Sequence, residues 1–225
     1  MGHLQRRIAM ARTQGAGRLV VGLAGFPGAG KSTRAQELVD ALNQRLGTGA
    51  AMVAGMDGFH LTRAQLAAFA DPAAALARRG APWTFDPLAL ARRLQQIRAM
   101  VLPAAGAGAA VAVASVAWPG FAHGVGDPVA DAIGIAASVQ LVLVEGLYLL
   151  HRDDGWDLSA QLDECWFLDV PLDLAMERIT LRHMASRGLD RRQALARVDA
   201  NDRLNARIVA AGRHRAHWRL ADTPR

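Results

Sequence analysis

Lys31 is the only lysine in a 225-residue chain whose other strongly basic side chains are all arginine. It lies in GFPGAGKS, residues 25–32, which satisfies GxxxxGK[ST] at every constrained position. The chemistry of that spacing is phosphate binding. Gly25, Gly28 and Gly30, with Ala29 between the last two, let backbone N–H groups turn inward around a phosphate chain. A following helix adds the partial positive charge of its N-terminus, Lys31 reaches the terminal phosphates and Ser32 ligates magnesium. A compact ammonium fits among phosphate oxygens where a planar guanidinium would clash, so lysine persists here in an arginine-rich chain.

Other residues could complete such chemistry. Asp57, in GMDGFHL, follows a short apolar run. A carboxylate at the C-terminal edge of a parallel strand sits where such sheets bind ligands and could take the proton of an attacking hydroxyl. An aspartate before Gly58 is equally a common turn residue, and the local sequence leaves both readings open. Glu145 ends the apolar run of VQLVLVEG, the arrangement of a Walker B acid that binds magnesium directly or through water. In ERITLRHMASRG, Arg178 and Arg182 are spaced i to i+4 and Arg187 follows, so a helix here could close over a nucleotide and present guanidinium groups to it.

These residues need elements to carry them. RLVVGLAG reads as a buried strand, the glycine-rich loop follows, and residues 31–46 form an amphipathic helix with Leu38, Val39, Leu42 and Leu46 on one face. Further strands are predicted at 50–56, 110–116, 139–144 and 165–170, and helices at 87–100, 172–186 and 191–210. Continuous rather than alternating apolarity indicates strands covered on both faces, hence a mostly parallel sheet in a three-layer α/β/α fold. Residues 1–225 read as one domain, with 1–17 as an N-terminal extension, a capping helix or frayed end, and about 172–212 as a helical lid and the helix after it.

Composition narrows the partners. The formal charge is +6 and the pI near 11.0, but the arginines are scattered, with no long basic run. That is a solubility property, and a coding bias towards arginine accounts for it without nucleic acid. A single cysteine, Cys165, precludes an intramolecular disulfide or a cysteine zinc cluster and suits a reducing cytoplasmic setting. The N-terminal stretch lacks the apolar core of a signal peptide. Residues 99–126 are uncharged, but their prolines, glycines and alanines make a poor membrane span, so no membrane partner is expected. A guanine-specific switch would need an NKxD lysine, and the one lysine is already in the phosphate loop. An ATPase or nucleotide sensor without an acceptor stays open at this point.

Taken in order, these pieces resemble the phosphoribulokinase, uridine kinase and bacterial pantothenate kinase superfamily of P-loop small-molecule kinases. The likeness is carried by the phosphate loop and by GMDGFHL, RRGAPWTFD, WPGFAHGVGDPVADAI, VLVEGLYLL, FLDVP and RHMASRGLDRRQALARVDANDRLNARIV. It looks most like the branch labelled fructose transport system kinases or nucleoside and pantothenate kinase-like proteins. The resemblance implies the P-loop NTPase fold and transfer of the γ-phosphoryl group of ATP, with Mg2+, to a small-molecule hydroxyl. Asp57 would be the catalytic base, Lys31, Ser32 and Thr33 would hold phosphates and magnesium, and Arg182 and Arg187 would belong to the lid. Magnesium ligands would come from Ser32, Glu145 and Asp57. Acceptor contacts are expected from His60, Arg79, Trp83, Phe85, Trp118, His123 and Tyr148, and analogy with the superfamily suggests a homodimer. Ala122 stands where relatives often carry aspartate, so a contact there is lost or assumed by His123. Asn201, Asp202 and Asn205 match the branch's ND..N pattern and could bind ligand or cap helices.

Overall fold

The computed structural model describes residues 2–13, 17–103, 114–122 and 124–222. In chain order the elements are α1 (Gly2–Thr13), β1 (Leu19–Gly25), α2 (Lys31–Leu46), β2 (Ala51–Gly55), a 3-10 turn (Met56–Phe59), α3 (Arg63–Ala67), α4 (Pro72–Ala77) and α5 (Pro87–Ala99). There follow β3 (Ser115–Ala122), β4 (Asp127–Ala136), β5 (Leu141–Gly146), β6 (Glu164–Asp169), α6 (Leu172–Arg187), α7 (Arg191–Arg197), a π-helical turn (Val198–Asp202), α8 (Arg203–Gly212) and β7 (Trp218–Ala221).

Five strands form one sheet in the order β2-β5-β1-β6-β7, every pair parallel. All seven residues of β1 are buried, as a strand covered by helices on both faces must be. Its neighbours bring Val142, Leu143, Val144, Phe167 and Leu168 into the same core. The parallel sheet with flanking helices is the expected three-layer fold.

Two expectations need correction. Residues 110–113 lie outside the described residues, and Val116 belongs to β3, which pairs antiparallel with β4 as a separate hairpin and not with the parallel sheet. The alternating exposure that would mark β4 is weak, since its residues 129–132 are all exposed. The predicted helix over 191–210 is broken by the π-helical turn, where the main chain widens by one residue per turn and Asn201 becomes buried.

The hairpin is clamped onto the segment after β2. The Trp118 indole N–H donates to the Gly55 carbonyl at 2.9 Å, and its ring meets Phe59 edge-on at 4.9 Å. Gly58 makes the approach possible: a Cβ there would stand 2.1 Å from the Pro119 carbonyl oxygen. Gly58→Ala must therefore push the hairpin away from the turn, at a cost of about 1–3 kcal/mol, and thermal denaturation should show a Tm several degrees below wild type. Gly134→Ala, where a Cβ meets nothing within 4 Å, is the matched control and should leave Tm nearly unchanged.

Candidate active site

Parallel register brings three strand ends together. Gly55 of β2 lies opposite Glu145 of β5, and Leu23 of β1 lies opposite the same glutamate. The glycine-rich loop leaving β1, the Asp57 turn leaving β2 and Glu145 thus meet at the C-terminal edge of the sheet, where open α/β sheets take ligands.

The loop turns on glycine. Gly28 has φ +77° and packs so closely on α6 that a Cβ would lie 2.2 Å from the Ala175 carbonyl. Gly30, at φ +86°, heads α2 with no side-chain cap, and no acidic residue occupies the first turn. The N–H groups at the start of α2 are left for an anion. Lys31 is buried, and its ammonium donates to the Phe26 carbonyl of its own loop at 3.0 Å. Burial pushes its pKa down, against the pull of Glu145 and Asp57 and with a further push from Arg182. Ser32 Oγ donates to Glu145 Oε1 at 3.1 Å. Burial pushes the Glu145 pKa up, Lys31 and the Ser32 hydrogen bond oppose it, and Asp57 reinforces it.

These groups border a cleft of about 750 Å³. Its walls include Pro27, Gly28, Gly30, Lys31, Ser32 and Thr33 on the loop side, and Asp57, His60, Arg79, Phe85 and Phe121 on the other. Arg182 and Arg187 of α6 border it as well. Gly25 and Ala29 are buried and shape the loop from behind. Among the described residues, the Asp57 carboxylate takes part in no ion pair within 4.0 Å, while its carbonyl accepts from the His60 backbone N–H at 3.2 Å and contacts His60 Nδ1 at 2.8 Å.

Several expected acceptor residues stand elsewhere. Trp118 is fully buried, with its N–H spent on Gly55, and Tyr148 is fully buried with its hydroxyl donating to the Gly80 carbonyl at 2.5 Å. Burial also pushes the Tyr148 phenol pKa up. Full burial leaves neither ring surface for a ligand; both support the wall from behind. Trp83 is 41% exposed beside Phe69 and does not border the cleft. His123 lies outside the described residues. Arg178 turns away from the cleft to pair with Asp222 at 2.8 Å.

The asparagines have structural partners. Arg78 donates to Asn201 Oδ1 at 2.9 Å and Asn205 Oδ1 at 3.1 Å, and Asn201 Nδ2 donates to the Arg79 carbonyl at 2.9 Å. Asp202 pairs with His183 at 2.9 Å. Together they tie the Arg78–Gly80 loop and α6 to the π-helical turn. Arg79 in turn pairs with Asp127 at 2.9 Å and donates to the Leu61 carbonyl at 2.9 Å and to the Gly126 carbonyl. Arg63 and Arg197 also border the cleft. Neither was singled out from sequence, because one arginine among so many carries no local signal.

The raised Glu145 pKa has a stability consequence. The native state holds the proton more tightly than the unfolded chain, so stability falls as pH rises from the ordinary glutamate range, near 4.5, towards the raised native value. Glu145→Gln removes that loss. Its Tm at pH 7 should exceed wild type, and the difference should vanish as the pH is lowered to about 4 in nucleotide-free protein.

No protein-family model matches the chain. A Schizosaccharomyces pombe protein provisionally named a uridine kinase is 36% identical over 198 residues, covering 85% of this chain and 78% of its own. An ATP-dependent kinase-like protein of Aspergillus versicolor is 38% identical over 161 residues, covering 70% of this chain and 88% of its own. A crystal structure from Silicibacter sp. TM1040, described provisionally as a fructose transport system kinase, superposes with a TM-score of 0.77 at 33% identity, covering 91% of this chain and 90% of the other. Identity of this extent, on a chain that brings a phosphate loop, a strand-end glutamate and a turn aspartate to one sheet edge, places the protein in the family of ATP-dependent P-loop kinases related to uridine kinase.

Proposed function

We propose that the chain transfers the γ-phosphoryl group of ATP to a hydroxyl of a small metabolite, with Asp57 as the general base. The observation that carries this reading is that Asp57 borders the same cleft as the phosphate loop and acts electrostatically on Lys31 and Glu145. The acceptor oxygen attacks the γ-phosphorus, its proton passes to Asp57, and the bond to the bridging oxygen breaks to release ADP. Lys31 and the open N-terminus of α2 hold the phosphates in line, and Arg182 and Arg187 from α6 approach the transferring group. His60 and Phe85, whose rings lie 3.9 Å apart, offer a polar edge and an apolar face to the acceptor.

The donor set fits magnesium. The Ser32 hydroxyl and the Glu145 carboxylate are adjacent oxygen ligands beside the phosphate loop, and magnesium commonly takes one or two protein oxygens with phosphate and water. Ser32 and Glu145 would hold the ion, with Asp57 at its outer side. When bound, it neutralises charge on the phosphates.

The same reading takes residues 1–225 as one kinase domain, with α6 to α8 as lid and supporting helices. Among the described residues no helix is long and apolar enough to cross a membrane. The buried Cys165 thiol, whose pKa burial pushes up to about 12, suits a cytoplasmic protein with no redox role for that thiol. A homodimer and indifference to nucleic acid complete the reading.

A coupled ADP-release assay across sugars, nucleosides and vitamins tests it. Asp57→Asn should lower kcat on the true acceptor by about 10²- to 10⁴-fold while ATP affinity stays within twofold. Near-normal turnover would refute Asp57 as base. Lys31→Ala should abolish transfer and leave the circular dichroism spectrum unchanged. ADP release that needs no acceptor would instead point to an ATPase.

A further inference from the structure

Most cations in the cleft already have an opposite number. Lys31 faces Glu145 and Asp57, and Arg79 is held by Asp127. Arg182 and Arg187 fall to the nucleotide phosphates in the mechanism above. Arg63 acts on Asp127 only from beyond ion-pair distance, as a second cation beside Arg79, and Arg197 has no ion pair among the described residues. Arg63 opens α3, just beyond the Asp57 turn, and its backbone N–H donates to Asp127 Oδ1 at 2.9 Å, which fixes where the side chain starts. Arg197 closes α7, immediately before the π-helical turn. Among the described residues neither guanidinium has an ion-pair partner within 4.0 Å or a hydrogen bond, and Arg197 Nε is buried without a partner. What sets Arg197 apart is its Nε, buried at the cleft without a partner.

The two lie near Arg187. Burial pushes the Arg187 pKa down, the like charge of Arg197 adds to this, Asp202 opposes it and Arg63 adds again. Arg63 and Arg197 border the same cleft as Arg187, and a second anion beside the nucleotide phosphates that Arg187 meets would relieve their mutual repulsion. A guanidinium binds carboxylate and phosphate with paired, charge-assisted hydrogen bonds. A neutral sugar or nucleoside would leave that charge unmet.

We propose that the phosphoryl acceptor is itself an anion, bearing a carboxylate or phosphate away from its reacting hydroxyl, and that Arg63 and Arg197 bind this group; this rests on the kinase reading of the cleft. The anionic end would meet Arg63 and Arg197 and the reacting hydroxyl would meet Asp57, all of which border the same cleft. Carboxylate and phosphate share the recognition chemistry, and matched compounds separate them.

The first experiment measures ADP release with three sets of equal carbon skeleton: the neutral sugar, its sugar acid and its sugar phosphate. An anionic member should give the highest kcat/KM, and which member does so identifies the group. Arg63→Gln and Arg197→Gln should each raise the KM for that acceptor on the order of tenfold, as expected for a lost charge-assisted hydrogen bond, with kcat and the KM for ATP within about twofold. A neutral member as best substrate, or an unchanged acceptor KM in both variants, would overturn the assignment.

The second experiment needs no turnover. With the phosphate loop saturated by ADP and magnesium, calorimetry should detect a further site for inorganic phosphate or malonate in wild type, weakened at least tenfold in the Arg63→Gln/Arg197→Gln double variant. No such site up to 10-millimolar-order anion, or equal affinity in the double variant, would refute the anion subsite even if Asp57 proves to be the base. Conversely, loss of the Asp57 dependence with the anion site intact would refute the kinase reading alone.

Discussion

An ammonium buried beneath a glycine loop sets the terms for the rest of this molecule. Among the described residues the Lys31 ammonium has one hydrogen bond, to the Phe26 carbonyl, and burial depresses its pKa. Two carboxylates, Glu145 and Asp57, counter that desolvation from neighbouring strand ends. Glu145 is itself pushed towards protonation by its own burial and by Asp57. Lys31 and Glu145 therefore set each other's protonation, and the start of α2 leaves N–H groups beside them for the phosphates of a nucleotide. Stability is conceded at the site so that the ligand finds its partners already in place.

Holding the set requires every strand to end at the right height. The parallel pairing of β2, β5 and β1 fixes Gly55, Glu145 and Leu23 in one row, so the turn, the glutamate and the loop leave the sheet together. The β3–β4 hairpin then presses on the turn through Trp118 and Pro119, where Gly58 leaves room for a carbonyl. On the far side the Arg78–Asn201–Asn205 network and the His183–Asp202 pair join the Arg78–Gly80 loop and α6 to the π-helical turn. Tyr148, which first suggests a ligand contact, proves to brace the wall, while Asn201 borders the cleft and also bonds to Arg78 and Arg79.

Much of this was legible in the residues. The loop motif, its flanking strand and α2 from Lys31 to Leu46 follow from local periodicity, because a buried parallel strand and an amphipathic helix leave distinct apolar patterns. The hairpin left a weaker trace, since β4 is exposed along much of one stretch and its pairing with β3 depends on distant contacts. The break in the helix over 191–210 left none: no proline or glycine marks it, and the π-helical turn depends on Asn201 meeting Arg78 and Arg79 from another part of the chain. The roles of the aromatic residues were likewise hidden, because Trp118 and Trp83 look alike in sequence and differ only in what covers them.

The sequence by itself determined the phosphate loop, the strand-loop-helix unit that carries it, the parallel character of the sheet and the candidate carboxylates, since each is written in residues that are neighbours or regular in spacing. Only the tertiary structure decided which side chains share the cleft. It brought Asp57 and Glu145 to Lys31, withdrew Trp118 and Tyr148 into the core, and left Arg63 and Arg197 bordering the cleft with no ion pair within 4.0 Å among the described residues. The physical reason is that burial and charge pairing are properties of packed neighbours: an arginine's meaning depends on whether a carboxylate from elsewhere reaches it, and no local pattern records that.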